Sequence, residues 1–225
     1  AGVGKYDFAL SFSKALLCPN RGSSGLACNE CASCHWFSDE SHPDFRLVSP
    51  EQESSNDEET VAIKKTKKKT QISVTQIREL NDFLSLSSHQ NNGLRIVLIN
   101  PAEALNLASA NALLKMLEEP APGVIFILIA QQLQRLLPTI ISRCQKVNMP
   151  VPDESQSLAW LKLKGVQNPA QQLAYLEGSP IKVLSEQAQL EQLSEICRHL
   201  ALGRKLDSQL AAPVLIATSV EFGVI

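Results

Sequence analysis

Two almost wholly apolar runs constrain this chain more than any other feature. Residues 94–99 read LRIVLI and residues 124–130 read VIFILIA. Such runs, largely free of polar alternation, suit strands whose two faces are both covered. Asn91-Asn92-Gly93 supplies a turn before the first run, and a helical pattern at 107–118, stopped by Pro120, lies between the two. A further short strand is expected at the end of His42-Pro43-Asp44-Phe45-Arg46-Leu47-Val48. Helical patterns are expected at 7–17, with Phe8, Leu10, Phe12, Ala15 and Leu16 apolar, and after Gln71, carrying Ile77, Leu80, Phe83, Leu84 and Leu86. Alternating strands and helices predict a three-layer α/β domain with a parallel sheet. Beyond Pro150 the strand patterns stop. Residues 155–163, 169–176 and 180–188 read as short helices separated by Gly and Pro, and more helix is expected from Leu190 onward, in a further helical domain that the sequence does not bring to a natural end.

The 225 residues are enough for one large domain with a smaller partner. Aromatics make up only 5%, so Leu, Ile and Val must fill the core. Lys plus Arg (21) nearly balance Asp plus Glu (23), which removes any bulk electrostatic reason for the chain to bind nucleic acid by itself. Contact with DNA would need a local patch or a larger assembly. The longest strictly apolar run falls far short of the ~20 residues that cross a bilayer, and no export signal opens the sequence. The expectation is a soluble cytoplasmic protein with no membrane contact.

Six cysteines in such a chain read as metal ligands or buried apolar residues, because the cytosol is reducing. Cys18, Cys28, Cys31 and Cys34 form a C-x9-C-x2-C-x2-C cluster around a loop of turn formers. Four thiolates with two short chelate bites predict one tetrahedral zinc, and a closed four-thiolate site is structural rather than catalytic. Disulfides or free thiols are the alternative, disfavoured by compartment and spacing. His35 adjoins Cys34 and is expected to be a bystander; Cys144 and Cys197 read as small buried hydrophobes.

Residues 51–59 are acid-rich, and 64–69 hold five lysines in six positions. Segregated charge without an apolar period is a solvated surface insertion, about 50–70, with a basic tongue for DNA phosphates as the alternative. The opening Gly2-Val3-Gly4-Lys5-Tyr6 reads as the second half of a phosphate-binding loop whose first glycine would lie upstream of Ala1, or as an ordinary glycine turn before a helix.

Five stretches taken together resemble one family. They are Gly2-Val3-Gly4-Lys5, the four-cysteine module, residues 72–88 (ISVTQIRELNDFLSLSS), residues 111–120 (NALLKMLEEP) and residues 139–144 (TIISRC). In this order, with a zinc module inserted after the first helix, they resemble the clamp-loader branch of the AAA+ proteins, and within it the bacterial DNA polymerase III subunits. The resemblance implies a RecA-like AAA+ domain at 1–149 carrying the zinc module at 18–34, a three-helix lid at 150–188, and the start of an all-α collar domain at 189–225.

It also implies Gly2, Gly4 and Lys5 as a nucleotide-loop remnant. The Asp-Glu pair that follows the central strand in a working AAA+ site is replaced by Asn100-Pro101, and neither can hold magnesium or activate water. Tyr6 stands where a magnesium-binding Ser or Thr belongs, Ala130-Gln131-Gln132 forms the sensor tip, and Ile181 in Gly178-Ser179-Pro180-Ile181 replaces the lid arginine. Glu103 could be a displaced base, but its place past a proline favours a surface role. Ser142-Arg143-Cys144 matches the clamp-loader S-R-C motif. The resemblance therefore implies that Arg143, supported by Ser142, acts as an arginine finger on the ATP of a neighbouring subunit; the alternative is a helix-end arginine in a surface ion pair.

The expected function is that of an ATPase-inactive stator in the DNA polymerase III clamp loader. ATP would not be hydrolysed by this chain, the gamma/tau and delta subunits would be its partners, and the sliding clamp and primed DNA would be reached through the complex. The alternatives are an active gamma/tau-like motor and a free-standing zinc module binding nucleic acid through Lys64–Lys69.

Overall fold

A sheet of parallel strands forms where the two aliphatic runs and the expected short strand place it. The computed structural model describes residues 3–50, 70–85, 93–176 and 178–186. The chain divides into two compact units, one of Lys5–Asn148 and one of Ala1–Gly4 with Met149–Ile225. Gly2, Leu86, Cys197, nearly all of the charged insertion and the whole 189–225 segment lie outside the described residues.

In the first unit, β1 (Phe45–Val48), β2 (Arg95–Ile99) and β3 (Val124–Leu128) pair in that order, both pairs parallel. The register sets Val48 beside Ile99 and Ile99 beside Leu128, so the three C-terminal tips lie level. Every residue of β2 is buried, as its apolar run requires. The expectation of full burial fails for β3, whose residues are all half-buried. Among the described residues β3 has one neighbour and β2 has two, and apolarity alone does not distinguish the two situations. Gly123 feeds β3 with φ +75°, and its carbonyl accepts the Arg95 N–H at 2.8 Å. A Cβ there would stand 2.0 Å from the Gly93 carbonyl oxygen, so only glycine fits.

Helix α1 (Lys5–Leu17) buries Ala9, Ser13, Ala15 and Leu17. Phe8 and Phe12 stack on each other at 6.0 Å on the surface, about half exposed. Small Ala9 packs with Leu98 and Ile129 instead, letting the helix approach the sheet closely. Helix α2 (Ala32–Ser38) follows inside the cysteine module. Ahead of α3 (Val74–Ser85), Ser73 and Gln76 cap reciprocally: the Ser73 N–H donates to Gln76 Oε1 at 2.9 Å, and the Gln76 N–H to Ser73 Oγ at 3.3 Å. Helix α4 (Leu107–Glu118) starts at an Asn106 cap that accepts the Ser109 N–H at 2.8 Å. Ile77, Leu80 and Phe83 of α3 meet Leu113 and Met116 of α4 over Val97 and Ile99.

Arg95 is the one charged residue of β2, and it is 5% exposed. Its Nη1 donates to the Phe83 and Leu84 carbonyls at 3.0 and 2.8 Å, satisfying the end of α3, and its Nε lies 3.9 Å from Asp44 Oδ1. A short helix α5 (Pro138–Ile141) closes the unit.

The second unit contains α6 (Glu154–Leu163), α7 (Pro169–Tyr175) and α8 (Pro180–Ser185), packed around Leu161, Val166, Leu173 and Val183. Among the described residues no helix is long and apolar enough to cross a membrane.

Candidate metal and nucleotide sites

The end of α1 and the start of α2 bring the four predicted cysteines together. Their Sγ atoms all lie within 4.8 Å of one another. Cys18–Cys28, Cys18–Cys31 and Cys28–Cys34 are separated by 3.5, 3.8 and 3.9 Å. A tetrahedral ion with zinc–sulfur bonds of about 2.3 Å needs neighbouring sulfurs about 3.8 Å apart, so the cluster fits a metal of that size and geometry. Disulfides, with sulfurs near 2.05 Å, are not formed; all four cysteines are free. The Cys28 and Cys31 amides donate to Cys18 Sγ and Cys28 Sγ, each at 3.4 Å. Backbone N–H groups of Glu30 and Cys31 lower the Cys28 thiol to about 6, and burial pushes Cys34 up to about 12. An ion bound here would therefore have to displace the proton of Cys34. His35 is exposed and takes no part.

A buried chain of hydrogen bonds supports this centre. The Asp44 N–H donates to His42 Nδ1 at 3.0 Å, so the ring proton sits on Nε2, which donates to Ser33 Oγ at 2.9 Å. Ser33 Oγ in turn donates to the Leu17 carbonyl at 2.9 Å. Leu17 and Ser33 each directly precede a ligand, Cys18 and Cys34, so the chain fastens two ligand-bearing segments to each other.

Burial lowers the His42 pKa, opposed by the nearby Asp44 charge. A histidine whose folded pKa lies below its unfolded value contributes stability fully above about 6.5 and loses it as pH falls through the folded pKa. Urea midpoints of wild type should therefore drop more steeply between pH 7.5 and 5.5 than those of His42→Gln, the cysteine contribution being common to both. Parallel pH profiles would exclude this role for His42.

Of the residues expected at a nucleotide site, Lys5, Asn100, Pro101 and Gln131 lie near the C-terminal ends of β2 and β3. Asn100 leaves β2 with its N–H on the Val48 carbonyl at 3.0 Å, and Pro101 follows. Lys5, at the start of α1, donates from Nζ to the Ala130 carbonyl at 2.8 Å. Tyr6 packs against the Ala9–Leu98–Ile129 cluster, where burial raises its phenol pKa. The surface role expected of Glu103 is incomplete. The 3₁₀ turn Ala102–Ala104 curls it back to half-burial, and its Oε1 accepts both the Gln131 and Gln132 N–H groups. Gly4 adopts φ +82°, a conformation suited to glycine.

Arg143 follows α5 and is solvent-exposed. Its Nη2 pairs with Glu118 Oε1 at 2.5 Å, and its Nη1 donates to the Thr139 carbonyl at 3.0 Å. Ser142 Oγ donates to the same carbonyl at 3.0 Å. Cys144 is half-buried, which raises its thiol pKa.

Comparison with known proteins places this arrangement. The family model described as "DNA polymerase III, delta subunit" matches residues 1–153. The chain belongs to this family. Among its relatives, the DNA polymerase III subunit delta' of Pseudomonas aeruginosa is 35% identical over 221 residues, covering 96% of this chain and 62% of that protein. The subunit of the same name from Haemophilus influenzae is 36% identical over 164 residues, 73% of this chain and 44% of that protein. A solved gamma subunit-related protein of DNA polymerase III from Thermotoga maritima is similar at 26% identity and a TM-score of 0.46, over 67% of this chain and 47% of that one. The chain thus spans under two thirds of the length of the curated relatives it matches.

In this DNA polymerase III family member, the four cysteines singled out in the sequence come together in the fold, while Lys5 bonds the Ala130 carbonyl and Arg143 pairs with Glu118. The sequence did not show the contacts of His42, Glu103 and Glu118; those of Glu103 and Glu118 reach residues distant in sequence, whereas His42 bonds the nearby Ser33 and Asp44. Glu118 lies in LEEP, within one of the five stretches that carry the resemblance.

Proposed function

We propose that this chain is an ATPase-inactive delta-prime stator of the DNA polymerase III clamp loader. It assembles with gamma/tau and delta subunits and supports ATP-dependent placement of the sliding clamp on primed DNA. Residues 1–149 form its AAA+ domain, 150–188 its lid and 189–225 the start of its collar. The reading of inactivity is carried by Asn100-Pro101 at the tip of β2, where an amide and an imino acid stand in place of the two carboxylates that hold magnesium and activate water. Three further features support it. Lys5 is bonded to a main-chain carbonyl, Glu103 occupies the amides of the sensor tip, and the Tyr6 ring is packed in apolar surroundings.

Zinc held by Cys18, Cys28, Cys31 and Cys34 is structural, because four thiolates leave no open position. Arg143, supported by Ser142, is the part of the ATP chemistry this chain supplies, to a site on its neighbour rather than to its own. The purified full-length protein should show no magnesium-dependent ATP hydrolysis, with or without DNA, and replacing Asn100 by Asp and Pro101 by Glu should not create it while Tyr6 remains. Turnover by rigorously purified wild type would instead establish a gamma/tau-like motor. A steep salt dependence of DNA binding by the isolated protein would favour a nucleic-acid module.

A further inference from the structure

Glu118 and Glu119 end α4, the negative pole of the helix dipole, where a carboxylate is unfavourable. Glu118 is half-exposed, so its pair with Arg143 returns little stability. Helix stability therefore gives no reason for a glutamate at this place. Its geometric effect is larger. A guanidinium carries five N–H groups in a rigid planar fork on a stem with much rotamer freedom. Glu118 Oε1 holds Nη2 at 2.5 Å, and the Thr139 carbonyl holds Nη1 at 3.0 Å. Two anchors from separate elements fix the plane of the fork, and Nη1 also lies 3.4 Å from Ser142 Oγ, leaving Nε–H and one N–H on Nη2 for another acceptor.

We propose that Glu118 is the positioning residue of Arg143, orienting its guanidinium toward the triphosphate of the adjoining motor subunit. The proposal rests on the reading of Arg143 as a finger in trans. In that reaction a water oxygen bonds to the γ-phosphorus as the bond to the β–γ bridging oxygen breaks, giving ADP and inorganic phosphate. The water proton leaves through the motor's own groups. Arg143 exchanges no proton and meets only the charge on the phosphoryl oxygens, so its orientation governs its contribution.

The test uses a loader reconstituted from full-length subunits, with Glu118→Gln, Arg143→Ala or both placed only in this chain, and reads ATP turnover at the adjoining motor site. Glu118→Gln should lower kcat about tenfold, the size of effect a misplaced group causes, with KM for ATP unchanged. It should have no further effect beside Arg143→Ala, and should leave the thermal midpoint and assembly of the chain at or slightly above wild type. Arg143→Ala crippled with Glu118→Gln at wild-type rate would overturn the positioning role and leave the finger standing. Wild-type turnover with Arg143→Ala would remove the finger, and this proposal with it. A Glu118→Gln loss that tracks impaired assembly would make Glu118 merely structural.

Discussion

Arg143→Ala, introduced only in this chain of a reconstituted loader, should cut ATP hydrolysis at the one adjoining motor site by on the order of 10³ or more, the usual worth of an arginine finger. Folding and assembly should hardly change, because Arg143 is exposed and its pair with Glu118 contributes little stability. Total ATPase should fall by that site's share, while clamp loading falls further if every site must contribute to a productive cycle. Lysine should substitute poorly: it lacks the planar fork and cannot span Glu118, the Thr139 carbonyl and a phosphate at once. Wild-type hydrolysis and loading by the Arg143→Ala complex would reduce Arg143 to a surface ion pair.

If the four cysteines hold zinc as proposed, loss of one of them should have the second large effect, on structure rather than turnover. Structural zinc contributes about 10–16 kcal/mol of apparent binding energy in small zinc peptides, and that energy is folding energy where the site does not preexist. Cys18→Ser should abolish stoichiometric zinc, measured by elemental analysis of protein purified without chelator. It should also expose the amides of residues 18–38 to rapid hydrogen exchange, because α2 is only seven residues long and too short to persist alone. Cys18 and Cys34 are the buried ligands, so replacing either should do more harm than replacing half-buried Cys28 or Cys31. Wild-type protein without stoichiometric zinc would refute the metal assignment, whatever the variants do.

The sequence made the secondary elements legible where local chemistry is strong. Asn106 at one end and Pro120 beyond the other confine α4 to Leu107–Glu118, the span its apolar period predicts. The all-buried β2 follows likewise from an aliphatic run. Helix α2 was not legible, because ASCHWFS is too short to display a helical period and its cysteines draw attention to metal spacing. The buried face of α1 was not legible for a different reason. Hydrophobicity points to Phe8 and Phe12, whereas close approach to Leu98 selects the small Ala9. The half-burial of β3 depends on how many strands flank it, a property of the sheet and not of the segment. At the sites, ligand types and spacing were enough to find the cysteines. The Glu103 contact with Gln131 and Gln132 bridges residues far apart in sequence, and only the fold brings them together.

The most direct test of the central claim is clamp loading onto primed DNA by gamma/tau and delta subunits with and without this chain in full-length form, ATP hydrolysis being followed in the same reactions. The account predicts that loading requires the chain, that the chain alone hydrolyses no ATP, and that its addition raises hydrolysis by the motor subunits. Undiminished loading in its absence, or magnesium-dependent hydrolysis by the chain alone, would contradict it.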